Sequence, residues 1–168
     1  MSNSGEEITF EIVLSGTYWM KPPEFDILLD DEVIHSDIIV APSSSKGLLV
    51  EHKMEDDYAE STLQTHKFTK NLAPGEHVLG VRLKNKTAED TRGFNADGSY
   101  ALDMLLNIEA IKIDGVDLQQ LIHDESEYTL DNEHQGTSKL TRCTSLGHNG
   151  TYRLKITSPF YIWLLERL

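Results

Sequence analysis

Oxygen-bearing side chains gather in one stretch, GFNADGSYALD at 93–103, where Asn95, Asp97, Ser99 and Asp103 lie in a glycine-bearing segment. A hard cation such as calcium takes roughly six to eight oxygens from carboxylates, amides and carbonyls. Calcium is therefore the one metal and the one cofactor that the pattern suggests. The stretch is not an EF-hand loop: with Gly98 in its sixth position, the first would be Gly93 and the twelfth Met104, where Asp and Glu are needed. The same NADG also reads as an Asx-type turn between two strands, which requires no ion. Both readings stand at this level.

Other chemistry is thin. A G-x-S-x-G elbow, a P-loop, a dinucleotide fingerprint and an H-E-x-x-H pair are all missing, so no catalytic residue is nominated and a non-enzymatic protein is expected. His35, His52, His66, His77, His123, His134 and His148 are scattered singly, none at the spacing of roughly two to five residues that metal ligands favour. No histidine metal site is predicted, although strands distant in sequence can bring such residues together. Cys143 stands alone, cannot form an internal disulfide, and reads as a small buried hydrophobe. Among 28 carboxylates, some pair will reach the roughly 5–10 Å separation of glycoside hydrolases by chance, so proximity alone indicates nothing.

Two aromatic groups have binding potential. Tyr18 and Trp19 precede a Pro-Pro break in GTYWMKPPEF; on an exposed loop they would stack against sugar rings, and otherwise they cap the end of a core. Residues 160–165, FYIWLL, are apolar on both faces and read as a strand covered on both sides, either central in a sheet or packed on another subunit. If the second, Tyr161 and Trp163 are the interface anchors.

The chain of 168 residues carries 28 acidic and 15 basic side chains, a formal charge of −13. Without a concentrated excess of Lys and Arg it cannot displace counterions from a phosphate backbone, which argues against nucleic acid as a partner, and an anionic membrane surface is disfavoured likewise. No apolar run approaches the roughly 18 residues a membrane-spanning helix needs, and MSNSGEEITF lacks the basic and apolar regions of a secretory signal. Synthesis as a soluble protein is expected. With 39% apolar residues the chain suffices for one core, so residues 1–168 are expected to form a single domain.

Period-two alternation dominates. Ile8, Phe10, Ile12 and Leu14 form one such series and His77, Leu79, Val81 and Leu83 another; further strands are predicted at 25–29, 33–41, 47–51, 62–68, 102–113, 140–146 and 151–157. LDDE at 29–32, NLAPGE at 71–76, IDGVD at 113–117 and HNGT at 148–151 supply the reversals. DLQQLIHD at 117–124 predicts one or two helical turns, while 41–47, 51–61 and 84–99 read as connections, the last being long enough to suggest function. The predicted class is all-β: a jelly-roll-like β-sandwich of two antiparallel sheets with at most one or two short helices.

The order FDILLDDEVI, HKFTKNLAPGEHVLGVRLKNKT, LDMLLNIEAIKIDGVDL, over residues 25–118, resembles the calcium-dependent xylan-binding carbohydrate-binding modules. LAPGEHVLGVRLKN at 72–85 matches that family's L-x-x-G-x-H strand, and DMLLNIEAIKIDG at 103–115 its D-R-N-L strand and closing turn. The resemblance implies a jelly-roll sandwich, with residues 119–168 as C-terminal strands completing it or forming an interface. It also implies a calcium site between protein and sugar, with Asn85 on the Asn of the family's N-D pair and Asp103 on its following Asp. Lys86 stands where the pair's carboxylate belongs, and Met104 and Leu105 replace polar neighbours.

As a free-standing acidic sandwich, the chain is also similar to small virion components of tailed bacteriophages. That likeness implies a structural or adhesive protein made in the host cytoplasm, with other virion proteins or copies of itself as partners. The alternative is a calcium-dependent module for a glycan, such as one on a cell surface, in which Asn85, Asn95, Asp97 and Asp103 gather the ion and Tyr18 and Trp19 meet the sugar.

Overall fold

Alternating residues give each long strand one greasy side, and burying that side requires a second layer facing it. The computed structural model describes residues 5–40, 59–60, 63–94 and 100–168. The strand predicted at 47–51, and nearly all of the connections at 41–47 and 51–61, lie outside them.

The first of two six-stranded sheets is built around β1 (Glu6–Tyr18). On one side β1 pairs with β9 (Leu105–Ile113), which in turn carries the short β10 (Val116–Asp117) and β13 (Ser145–Leu146). On its other side lie β5 (Gln64–Leu72) and β4 (Ala59–Glu60). The second sheet runs β12 (Thr137–Thr141), β11 (Ser126–His134), β14 (Gly150–Ser158), β6 (Gly75–Leu83), β2 (Glu24–Leu29), β3 (Glu32–Ile38). A small ribbon pairs β7 (Arg92–Phe94) with β8 (Tyr100–Leu102). Every pairing is antiparallel. The predicted jelly-roll-like sandwich is what the chain forms.

The core is the sum of the inward positions. Ile8, Phe10, Ile12 and Leu14 of β1 join Leu106, Ile108, Ile111 and Ile113 of β9, and opposite them lie Phe25, Ile27, Leu79, Val81, Leu83, Tyr152, Leu154 and Ile156. Each such side chain stabilises the fold by about 1.5–3 kcal/mol relative to exposure. Between Ile108 and Ile111 the buried spacing on β9 lengthens from two to three, because Val13 pairs with Ala110 and Leu14 with Ile108, leaving Glu109 as an extra residue. That bulge returns the strand's apolar side to the core, and the Glu109 carboxylate accepts a hydrogen bond from Ser15 Oγ. A second bulge at Ile34, between the pairs Ile27–His35 and Leu28–Val33, sets the phase of β3.

Two short helices complete the described residues. α1 (Leu121–Asp124) falls inside the predicted helical stretch and buries Ile122. The closing segment is a correction: residues 160–165 form a helix, α2 (Phe160–Leu165), rather than a strand. Phe160, Trp163 and Leu164 are buried and lie three and four positions apart, the helical spacing, while Tyr161, Ile162 and Leu165 face outward. Apolar residues on both faces therefore reflect a helix half covered by the core.

The start of α2 is tied to the first strand. Glu6 Oε2 accepts hydrogen bonds from the Phe160 amide (2.9 Å) and from Ser158 Oγ (2.7 Å), so a carboxylate from β1 satisfies a helix N-terminal donor. Replacing a capping side chain by Ala costs about 1 kcal/mol. Glu6→Ala is expected to lower the unfolding free energy by about that amount in urea titration, with the denaturant slope unchanged.

Candidate functional site

A concave site lies where the segment after β6 meets the β13–β14 connection. Its position is set first by Asn149, whose side-chain amide works like a short piece of sheet: Oδ1 accepts from the Lys86 amide and Nδ2 donates to the Lys86 carbonyl, each at 2.8 Å. Gly150 follows because a Cβ there would stand 2.3 Å from the Thr129 carbonyl oxygen. Tyr128, on the neighbouring β11, donates its hydroxyl hydrogen to the His148 carbonyl and accepts from the His148 amide at 2.9 Å. Burial pushes its phenol well above the usual range, so it stays protonated and serves as both donor and acceptor.

With its backbone clamped, Lys86 turns its ammonium onto Asp103. Nζ lies 2.5 Å from Asp103 Oδ1 and 2.6 Å from the Gly147 carbonyl. The same carboxylate oxygen accepts from Thr91 Oγ1 at 2.7 Å and from the Met104 amide at 2.8 Å. Next to it a short 3₁₀ turn (Ala88–Asp90) is held by the buried Asp90, whose Oδ2 accepts from both the amide and the hydroxyl of Thr87 and lies 3.1 Å from Lys21 Nζ. Lys86, Thr87, Thr91, Asp103, His134 and His148 line a cleft of about 570 Å³, within the size range of small-ligand sites. The His134 and His148 rings meet at 4.4 Å between centroids. Burial first, then His134 and the Lys86 ammonium, hold the His148 imidazole below its ordinary value against the pull of Asp103.

The residues singled out from the sequence distribute themselves unevenly. Asp103 is in this cleft. Asn85, next to Lys86, spends its amide on the backbone, accepting from the Glu24 amide at 2.8 Å and donating to the Pro22 carbonyl at 3.0 Å. Asn95 and Asp97 lie outside the described residues. Tyr18 is 2% exposed and belongs to the core. Trp19 stands behind the 3₁₀ turn, its indole N–H donating to the Asp90 carbonyl at 2.8 Å, with the Arg92 guanidinium 5.7 Å over its ring. Tyr161 is 52% exposed, but Trp163 is 2% exposed and packs inside its own chain under Arg167. Sequence reasoning did not nominate Lys86, Asn149, His134 or His148 as site residues; the HNGT turn signal was the only pointer to two of them.

Of the four nominated calcium ligands, Asn85 and Asp103 fall among the described residues. They offer one carboxylate, Asp103, whose Oδ1 already holds an ammonium, and an amide, Asn85, committed to the backbone. A hard divalent ion needs several free oxygens. What the cleft does present is a fixed cation, a carboxylate, hydroxyls and imidazoles: hydrogen-bond donors and acceptors suited to a ligand rich in hydroxyl groups.

No protein-family description matches this chain, and no curated protein matches it. Among solved structures it is similar to vCBM60 in complex with galactobiose, at 11% identity with a TM-score of 0.48, covering 87% of this chain and 96% of that one. It is also similar to a selenomethionine form of vCBM60, at 8% identity with a TM-score of 0.51, covering 88% and 89%. That structure is described with a circular permutation linking two families of calcium-dependent carbohydrate-binding modules. At this identity the second likeness shows the fold: a sandwich of the carbohydrate-binding-module kind.

Lys86 and Asp103 are 11% and 18% exposed, so removing the ammonium leaves a largely covered carboxylate without its counterion. Lys86→Met is expected to destabilise the protein by about 2 kcal/mol in chemical denaturation. The His148 imidazole, depressed in the fold, sets a pH trend. As pH falls through about 6.5 the unfolded chain takes up this proton first, so stability present above that pH is lost below it. Thermal melts taken on either side of that pH are expected to show a smaller acid-side loss for His148→Gln than for the parent.

Proposed function

We propose that this protein is a non-catalytic carbohydrate-binding β-sandwich, with the cleft between Lys86, Asp103, His134 and His148 as its sugar-contacting surface. The observation that carries the reading is that cleft, about 570 Å³ and lined by paired donors and acceptors, on a sandwich of the carbohydrate-binding-module kind. Sugar hydroxyls donate and accept at once. Asp103 has a second oxygen beyond the one held by Lys86, Thr91 and Met104, and the imidazoles offer a donor and an acceptor each. The His134 and His148 rings, 4.4 Å apart and tilted by 41°, offer the ring surface against which a sugar packs, in place of Tyr18 and Trp19. In this reading the Lys86 ammonium supplies the positive charge that the resemblance assigns to calcium.

Binding is tested by titrating galactobiose and xylan oligosaccharides into the labelled protein and following amide shifts. Shifts centred on residues 86–91 and 147–149 are expected. His134→Ala, at an exposed position, is expected to weaken binding at least about fivefold, the value of one lost hydrogen bond, and chelator to leave it unchanged. Loss of binding in chelator would instead put a cation in the site, drawn there with Asn95 and Asp97. No shifts with any oligosaccharide would remove the reading.

A second reading, assembly, is favoured by one observation: Tyr161, Ile162, Leu165 and Leu168 are exposed together on and beyond α2. A second copy of the chain covering that face would make the protein an oligomeric, adhesive or structural component. Its place in a virion made in the host cytoplasm rests on the sequence resemblance alone. Sedimentation should then show a concentration-dependent dimer that Ile162→Glu abolishes.

A further inference from the structure

β5 and β3 are the outer strands of their sheets among the described residues, and His66 of the one meets His35 of the other. Gln64 of β5 clasps the end of β3, accepting from the Val40 amide at 2.7 Å and donating to the Ile38 carbonyl at 3.2 Å. Inward positions along this seam are legible from register, since residues directly opposite on paired strands share a face. His66 is opposite the buried Ile12, His35 opposite the buried Ile27, and Asp37 opposite the buried Phe25. Three positions that elsewhere in the sandwich carry core residues here carry two imidazoles and a carboxylate.

Their geometry converges. One donor atom from each of His35, Asp37 and His66 lies within 4.8 Å of the others, with His35 Nε2 and Asp37 Oδ2 at 3.5 Å. The two rings stand 5.0 Å apart, and Phe25 meets His66 edge-on at 5.2 Å, fixing its orientation. His66 Nε2 is buried and has no hydrogen-bond partner, an uncommon condition for a buried nitrogen. Beside the rings lies a hollow of about 260 Å³ between His35, His66 and Phe68, room for a further ligand or water.

We propose that His35, Asp37 and His66 form a binding site for a borderline divalent cation of the zinc class, which clips β3 of one sheet to β5 of the other. Donors about 2.0–2.1 Å from a tetrahedral zinc are about 3.3 Å from one another, so the three side chains need to close by up to about 1.5 Å from separations of up to 4.8 Å. Imidazole nitrogen selects zinc, nickel or copper over calcium and magnesium, which take oxygen. The bulge at Ile34 sets the phase that turns His35 and Asp37 inward.

The test is thermal unfolding of the full chain after chelator treatment, with Zn²⁺ and separately with Ca²⁺. A zinc concentration near a hundred times the dissociation constant is expected to raise Tm by about 5 °C or more, and calcium to leave this site unaffected. The rise is expected to vanish in His35→Gln, whose side chain is 44% exposed and whose loss spares the core. It is expected to persist in His134→Gln, which disrupts the other histidine pair. Cobalt should give the visible absorption of a tetrahedral nitrogen–oxygen site in the parent and not in His35→Gln. No rise with zinc, a rise that survives His35→Gln, or the absence of that absorption overturns the proposal.

Discussion

The dry space between the two sheets is the constraint on which the rest depends. β1 supplies its longest inner face, pairing with β5 on one side and β9 on the other, and the candidate sites lie where that space reaches a boundary. At the loop end, the chain leaving β6 must satisfy its backbone without a sheet partner, and Asn149 does so by binding both polar groups of Lys86. Where β3 and β5 meet, inner positions carry the polar His35, Asp37 and His66, as a fully apolar edge invites association. Where the last strand ends, Glu6 of the first strand receives the helix that closes the fold.

Lys86 decides the chemistry of the cleft. A carboxylate facing a concave surface among hydroxyls needs positive charge, and a divalent ion or an ammonium can each provide it. The ammonium brings one charge on a tether anchored by its own backbone, donates up to three hydrogen bonds, and needs no free metal. The likeness to a solved carbohydrate-binding module extends to the sandwich architecture and not to the residues of this cleft. Fold alone does not transmit a ligand.

The two histidine pairs differ in their surroundings. His134 and His148 border a wide cleft with Lys86 and Asp103 nearby. His35 and His66 face each other across the seam between sheets, with Asp37 as the adjacent charge and Phe25 against one ring. Burial and then His35 hold the His66 imidazole below its ordinary value, with Asp37 opposing.

Local pattern in the sequence determined much of this protein. Period-two alternation marked β1, β6, β9 and β14, and the DD and DG turns announced themselves, since Asp30, Asp31, Asp114 and Gly115 all take the positive φ that tight hairpins require. The turn at Gln135 and Gly136 takes the same conformation (φ 50° and 79°), but Gln is an unusual residue there, and the strand before it is apolar only at Tyr128 and Leu130; β11 therefore went unread. α2 was misread because six apolar residues in a row fit two periods equally well until the core shows which face it covers. The packing of the two sheets and their connections decided the rest. It set His35 across from His66, placed His148 against His134, brought Lys86 onto Asp103 and committed Asn85 to the backbone. Such pairings depend on through-space geometry between segments 14 or more residues apart, and no local spacing encodes them.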